Sequence, residues 1–452
     1  MKRTLLDAAR VLGGQLKGED KPFGAVASDS RTLPAGALFV ALKGPNFDGG
    51  EFVAAAALRG AVGAIVERAI DVPLPQILVK DTLAALQLLG GTWRANFAFP
   101  VVAVGGSNGK TTAKEMTAAI LARRGPCLAT RGNLNNHIGV PLTLMRLEAT
   151  HLSAVIEMGA NRLGDVAELV SIAKPTVGFI TNAGAEHLEG FGDLDGVARG
   201  EGEMVAGLSS SATAIINADD AYAGYWRKLA KAARVLTFGM RERADFAAMN
   251  PQLGIEQGAF ATRFTLVCPA GTREVVLQAG GAHNVVNALG AAAAASAAGA
   301  SLDDIAAGLA DFRPVSGRLQ LKPGLRESWI IDDSYNANPS SVRAGLDVLR
   351  SLAGTTWLVL ADMAELGEHT QDSHADIGSY ARAAGVKRLF AFGTESARAV
   401  ETFGPGAEWF ADADALIRRL EAELSGGVTL LIKGSRVNRL ERVVQALTLG
   451  GG

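Results

Sequence analysis

Val101-Val102-Ala103-Val104-Gly105-Gly106-Ser107-Asn108-Gly109-Lys110-Thr111-Thr112 is an apolar run that passes directly into a glycine loop and then into a helix start. Four apolar residues after Pro100 read as a buried sheet strand. Glycines at 106 and 109 let backbone N–H groups turn toward an anion, and the helix opening near Lys110 presents its N-terminus to the same point. Lys110 adds a point charge suited to β- and γ-phosphates, and Thr111 offers a hydroxyl to Mg2+. The eight-residue form of such loops needs glycine where Val104 stands, so this is a shortened variant. Gly106, Ser107, Asn108, Gly109, Lys110, Thr111 and Thr112 are therefore expected to bind ATP.

On the N-terminal side, short strand-like runs (Ala37 to Leu42, Ala64 to Val66, Gln76 to Val79) alternate with alanine-rich helical stretches, which predicts a small α/β domain over 1–85. A helical linker is expected from Thr82 to Arg94. On the C-terminal side, apolar runs at Ala154 to Ile156, Val177 to Ile180 and Ala214 to Ile216 alternate with helices, the pattern of a mostly parallel sheet. Phe264 to Leu277 reads as a β-hairpin around Gly271, and a helix is expected from Asn284 to Ala298. A central mononucleotide-binding domain over 86–311 follows. The alternation restarts after Phe312, with strands expected at Trp329 to Ile331, Trp357 to Leu360, Leu389 to Phe392 and Val428 to Ile432. That gives a Rossmann-like C-terminal domain over 312–452 and an α/β, three-domain chain.

A chain of 452 residues with 48% hydrophobic and 20% charged residues is long enough for several cores and lies in the globular range. A net charge of −2 supplies no basic face for a phosphate backbone, which argues against nucleic acid. The apolar pair Leu5-Leu6 is cut by Asp7, and the alanine-rich run from Ala291 to Ala300 is too short and too mildly apolar for a bilayer. A cytoplasmic protein without membrane insertion is expected. Cys127 and Cys268 match no metal-ligand or redox spacing and read as reduced and buried.

Glu157 ends one central strand and His187 follows another, and ligands collect at strand C-termini in such sheets. A carboxylate and an imidazole suit a Mg2+ site beside phosphates, although Glu157 alone reads better as a solvated loop carboxylate and His187 alone as a hydrogen-bonded structural histidine.

With these residues in view, the chain resembles the Mur ligase family along essentially its whole length. The likeness is carried by the glycine loop, Thr130 to Gly139, Glu157-Met158-Gly159, His187-Leu188-Glu189-Gly190-Phe191-Gly192 and His283-Asn284-Val285-Val286-Asn287-Ala288. It continues through Ser316-Gly317-Arg318, Asp332 to Pro339, Gly367-Glu368-His369 and Leu431 to Arg436. The Asp333-Ser334-Tyr335-Asn336-Ala337-Asn338-Pro339 and Leu188 to Gly192 runs are similar to the branch that adds D-alanyl-D-alanine. An Asp-Asn-Pro-Arg motif of the amino-acid-adding relative is absent from the sequence.

The resemblance implies ATP-dependent ligation of D-alanyl-D-alanine to UDP-N-acetylmuramoyl-tripeptide through an acyl phosphate, in peptidoglycan synthesis, by a monomer that closes its C-terminal domain over the site. It implies Lys110 on the γ-phosphate, Thr111 and Glu157 on one Mg2+, and His187 on a second. Asn284 and Asn287 match adenine contacts, and Arg318 and Asp333 match nucleotide contacts. Ser28, Asp29, Ser30, Arg31 and Asp48 match segments that bind the UDP end, although the family often has histidine where Gly50 stands. Asn133, Asn136, Asn336 and Asn338 are further substrate candidates. The alternatives are another Mur-type or a folylpolyglutamate-type ligase, or a non-catalytic nucleotide-binding protein.

One position departs from the family. Where a carbamylated lysine usually follows His187, this chain has Glu201, and no lysine occurs between Lys174 and Lys228. Glu201 is expected to supply directly the carboxylate that carbon dioxide would otherwise add, and so to join the catalytic and metal-binding set. Its shorter side chain calls for a bridging water or a backbone shift, because Mg2+ holds its ligands at about 2.1 Å. The competing reading is a solvated helix residue, with Glu203 taking its place.

Overall fold

The Val101–Gly105 strand lies inside a six-stranded parallel sheet, between Ser153–Glu157 and Val177–Ile180. Thr213–Asn217 and Arg234–Phe238 extend the sheet on one side, and Cys127–Ala129 closes the other. The computed structural model describes residues 3–231 and 233–449. The three central strands are buried along their whole length, as expected where helices cover both faces of a parallel sheet. Their C-terminal ends gather the glycine loop, Glu157 and the segment leading to His187 along one edge.

The phosphate-loop helix, Lys110–Ala122, packs on one face beside Ala282–Ala297. Ala291 to Ala295 are fully buried. Methyl side chains let this helix lie close to the sheet, so the alanine run is interior packing material. Among the described residues no helix is long and apolar enough to cross a membrane.

Five strands form the N-terminal sheet, in the order Gln15–Lys17, Gln76–Leu78, Gly63–Val66, Ala37–Val40, Ala25–Ala27, and only the first is antiparallel to its neighbour. The helix Thr82–Arg94 starts where Asp81 accepts from the N–H groups of Leu83 and Ala84. It is no free linker. Leu86 and Leu89 share a core with Met145, and Trp93 Nε1 donates to Leu147 O at 3.0 Å, so the helix welds the N-terminal sheet to the central domain.

The C-terminal sheet has six strands, with Trp329–Asp333, Val428–Lys433, Thr355–Ala361, Arg388–Phe392 and Ala407–Phe410 parallel and Gln320–Pro323 antiparallel at one edge. The α/β three-domain architecture read from the sequence is thus what forms.

The hairpin expected at Phe264 to Leu277 is two strands of a three-stranded meander, Ala259–Cys268 and Gly271–Leu277, joined by Ala247–Glu256. The extra strand is largely exposed and carries Pro251 and Gly254, which mask any strand periodicity. A register shift between Met249 and Gln252, with Asn250 at φ 51°, accommodates the proline as a bulge. Cys268 is buried as expected, but Cys127, on an edge strand, is only half-buried; both are free thiols.

Candidate active site

Gly106 and Gly109 adopt φ of 110° and 82°, the left-handed region that favours glycine. Space is equally demanding. A Cβ on Gly106 would lie 2.2 Å from Thr181 Oγ1, and one on Gly109 would lie 2.5 Å from Asn287 Oδ1.

The loop's donors are held by the protein's own acceptors. Gly106 N–H donates to Glu201 Oε2 at 2.6 Å, Ser107 N–H to Asn182 O at 2.9 Å, and Asn108 N–H to Asn182 Oδ1 at 3.1 Å. Lys110 Nζ folds back onto Gly106 O at 2.5 Å and Ser107 O at 2.9 Å, and pairs with Glu186 Oε1 at 3.1 Å. Burial pushes the pKa of this ammonium down, but the fields of Glu186, Glu201 and Glu157 outweigh it and the net shift is upward. Lys110 is a firmly charged group in a nearly dry pocket. Glu186 moves up because burial outweighs the attraction of Lys110 and His187.

Glu201 lies on the Leu194–Ala206 helix and is 1% exposed, so it is not a solvated helix residue. Burial pushes its carboxyl pKa up to about 7, against the pull of Lys110. Glu203 is spent elsewhere: its carboxylate accepts from the N–H groups of Gly164 and Ala167 at the start of the Asp165–Ala173 helix.

Glu157 is 3% exposed. Its N–H donates to Thr130 Oγ1 at 3.0 Å, and its Oε1 accepts from Asn135 Nδ2 at 2.9 Å. The other oxygen, Oε2, is buried without a hydrogen-bond partner. A naked carboxylate oxygen in the interior is costly unless a cation meets it. Among the described residues no three His, Cys, Asp or Glu side chains converge as a ready-made metal cage. Mg2+ rarely uses one, since it binds through one or two carboxylates and substrate phosphates. Glu157 and the nearly buried Thr111 fit that mode.

His187 has φ of 48°, and its Nδ1 lies 2.7 Å from Glu365 Oε2 of the C-terminal domain, itself at φ 64°. Two non-glycine residues in the left-handed region meeting across a domain junction are the kind of local strain found at ligand clamps. Thr112 is half-buried in the first turn of the phosphate-loop helix.

Asn284 and Asn287 are each 6% exposed and bonded to one another at 3.3 Å, so neither is polar surface. Arg318 stacks over Tyr335 at 4.3 Å and keeps a buried Nε without a partner. Asp333 accepts from Leu319 N–H at 3.1 Å and from the buried Lys433 at 2.6 Å. It does not cap the helix that begins at Pro339; Asn338 does, through Ser341 N–H.

Asn338 also reaches the phosphate loop. Its Nδ2 donates to Asn108 Oδ1 at 2.8 Å, while Asn108 Nδ2 donates to Ser340 Oγ at 3.1 Å. The side chain of Asn336 is exposed, while its carbonyl accepts from Lys433 at 3.0 Å.

The remaining candidates have side-chain partners of their own or face solvent. Arg31 grips Asp29 through two hydrogen bonds of 2.9 and 2.8 Å, which holds the Asp29 pKa down to about 2. Ser28 precedes that turn and Ser30 sits inside it, half-buried and buried. Asp48 accepts from Gly50 N–H at 2.8 Å and from Arg68 at 3.2 Å. Asn133 is exposed, and Asn136 spends its Oδ1 on the N–H groups of Ile138 and Gly139 at a helix start. Within that loop it is Asn135 that touches Glu157. Asn135, Asn182, Glu186 and Lys433 join the site without an expected role from the sequence. Asn182 and Glu186 follow a central strand as His187 does, and that position was the available signal.

Three family models match the chain: Mur ligase family, catalytic domain, over residues 23–90; Mur ligase middle domain over 104–295; and Mur ligase, glutamate ligase domain, over 317–436. The chain is 43% identical over 451 residues to UDP-N-acetylmuramoyl-tripeptide--D-alanyl-D-alanine ligase of Escherichia coli, covering 99% of both chains. It superposes on crystal structure I of MurF from Acinetobacter baumannii with a TM-score of 0.91, at 35% identity over 98% of each chain. With MurF ligase from Thermotoga maritima in complex with ADP the TM-score is 0.82, at 26% identity over 93% of this chain and 96% of that one.

Proposed function

A member of the Mur ligase family, this chain is an ATP-dependent ligase that joins D-alanyl-D-alanine to UDP-N-acetylmuramoyl-tripeptide, and we propose that Lys110, Glu157, His187 and Glu201 carry the reaction. The observation that supports this assignment best is Lys110, charged and buried at the phosphate loop among Glu186, Glu201 and Glu157.

Amide formation from a carboxylate needs its oxygen turned into a leaving group. A tripeptide carboxylate oxygen attacks the γ-phosphorus of ATP, the bond to the β-γ bridging oxygen breaks, and ADP leaves with that electron pair. Lys110 swings from the carbonyls of Gly106 and Ser107 to the γ-phosphate and offsets the charge spreading over its oxygens. The amine of D-alanyl-D-alanine, after losing a proton, attacks the acyl phosphate carbon. The tetrahedral oxyanion then collapses to amide and phosphate.

Asn287, against Gly109, and Asn284 line the nucleotide side, with Arg318 and Asp333 reaching it from the C-terminal domain. Gly106 to Thr112 wrap the phosphates. Ser28 to Arg31 and Asp48 receive the UDP end, and Asn133, Asn136, Asn336 and Asn338 border the peptide. Thr111 and Glu157 would hold one Mg2+, and His187 with Glu201 a second. When bound, Mg2+ supplies positive charge at the phosphate oxygens and the reacting carboxylate. Water must be kept from the acyl phosphate, and the contacts of Asn108 and His187 with the C-terminal domain support a closed state for that purpose. We also propose a monomer working in the cytoplasm, where the nucleotide-linked substrate would be met.

The test is phosphate release from ATP with UDP-N-acetylmuramoyl-tripeptide, with and without D-alanyl-D-alanine, with product mass confirmed. Release that needs the dipeptide, yields the pentapeptide and is lost in Lys110→Met is the expected result. Equal turnover by Lys110→Met would remove that residue from the mechanism.

A further inference from the structure

A cavity of about 290 Å3 opens between the N-terminal domain and the edge of the central sheet, lined by Arg3, Arg131, Arg146, Glu148 and His151 over the apolar floor of Leu128. None of these residues belongs to the catalytic cluster. Arg3 is fully engaged, donating to Gly24 O at 2.8 Å and Met145 O at 2.6 Å and stacking over Trp93 at 4.1 Å.

Arg146 is different. Its Nη1 is buried with no hydrogen-bond partner. Burial lowers its pKa, and the charge of Arg131 lowers it further. Two guanidinium groups therefore press on one another with a buried N–H unanswered, which is unfavourable unless an acceptor meets both. Glu148 is the acidic group on the wall; it is exposed, and its field acts on Arg3. The Glu148 N–H donates to His151 Nδ1 at 3.0 Å, so a neutral His151 carries its proton on Nε2 and adds a further donor.

We propose that this cavity is a second anion site, which binds a small multivalent oxyanion of the phosphate or pyrophosphate class between Arg146 and Arg131. Guanidinium forks suit such oxygens in pairs. The volume is at the small end of ligand pockets and matches a compact anion. The loop that supplies Arg131 also supplies Asn135 to Glu157, so the two sites share a wall.

The chemistry has two possible sources, free phosphate species or the diphosphate of the nucleotide-sugar substrate, and the site is assigned to the first. Calorimetric titration of orthophosphate and pyrophosphate into the full chain tests it, with Lys110→Met removing the phosphate-loop lysine. Pyrophosphate should still bind Lys110→Met, with the phosphate-loop contribution removed. Arg146→Met and Arg131→Gln should each weaken binding at least about tenfold, the Coulomb and hydrogen-bond share of one guanidinium. Arg131 is exposed, so its variant stays folded even if Arg146→Met does not. Absence of binding in Lys110→Met, undiminished binding in Arg131→Gln, or displacement by UDP-N-acetylmuramoyl-tripeptide would each overturn the proposal, the last by giving the cavity to the substrate.

Discussion

Glu201 Oε2 and the backbone N–H of Gly106 are 2.6 Å apart, so a carboxylate from the Leu194–Ala206 helix stands at the root of the phosphate loop. The contact links two segments 95 residues apart and puts an ionisable group with a pKa of about 7 within the field of Lys110.

Replacing this group by its neutral isostere separates charge from shape. Glu201→Gln keeps an oxygen for Gly106 N–H and loses the anion. We expect kcat to fall by about 100-fold or more, the usual effect of removing one preorganised charged partner. The wild-type rate should be the same in carbon-dioxide-free buffer as with added bicarbonate. Normal turnover and Mg2+ dependence in Glu201→Gln would make the residue a bystander.

Stability should move the other way. A carboxyl whose pKa rises from about 4.5 unfolded to about 7 folded destabilises the native state progressively as pH climbs between those values, because the unfolded chain gives up its proton first. Below that window there is no effect, and above it the penalty is full, on the order of 3 kcal/mol. Urea midpoints of wild type and Glu201→Gln should therefore coincide near pH 4.5, with the variant more stable at pH 8. Parallel midpoints across that range would mean that the ionised carboxylate is compensated in the folded protein.

Asn135 Nδ2 holds one oxygen of Glu157 and leaves the other naked. Asn135→Ala should raise the Mg2+ concentration for half-maximal activity about 10- to 100-fold, the range for outer residues that orient a metal ligand. Asn133→Ala, at an exposed position of the same loop, is the control and should leave that value in place. A Mg2+ requirement unchanged in Asn135→Ala would detach Glu157 from the metal.

Asn338 serves two purposes, as helix cap and as partner of Asn108. Asn338→Ala should lose about 1 kcal/mol of stability with the cap, whereas Asn338→Ser retains a capping oxygen. Both lose the bond to Asn108. If that bond helps to hold the closed state, kcat should fall in both variants by about 3- to 10-fold, the worth of one hydrogen bond. A loss confined to the alanine variant would trace the effect to the cap.

The phosphate loop, the Thr82–Arg94 helix and the buried central strands could be read directly from the sequence because their causes are local: a run of apolar residues, a capping aspartate, glycines at a turn. The loop Asn133-Leu134-Asn135-Asn136 shows the opposite case. Three asparagines stand within four positions, and only the fold decides which one faces Glu157, 22 residues further on. The partner of Asp333 is likewise decided by the fold, since Lys433, 100 residues later, donates to its carboxylate. Edge strands such as Gln320–Pro323 and Ala407–Phe410 escaped notice because they are short and only partly buried, so little apolar pattern is imposed on them.

Phe260 belongs by chain to the central domain's meander, yet its ring is buried among Leu319, Leu321, Ile331 and Leu346 of the C-terminal domain. The last third of the protein has a borrowed keystone. A gene cut near residue 311 would encode a fragment with an aromatic-sized hole, a defect of about 3–5 kcal/mol if it resembles other large-to-small changes. Swapping this segment between relatives would succeed only if the meander travelled with it. A cut upstream of Ala247 would also carry away Phe264, Leu266, Val275 and Leu277, which pack in the central core with Val102 and Met116, so no single cut parts the two domains cleanly.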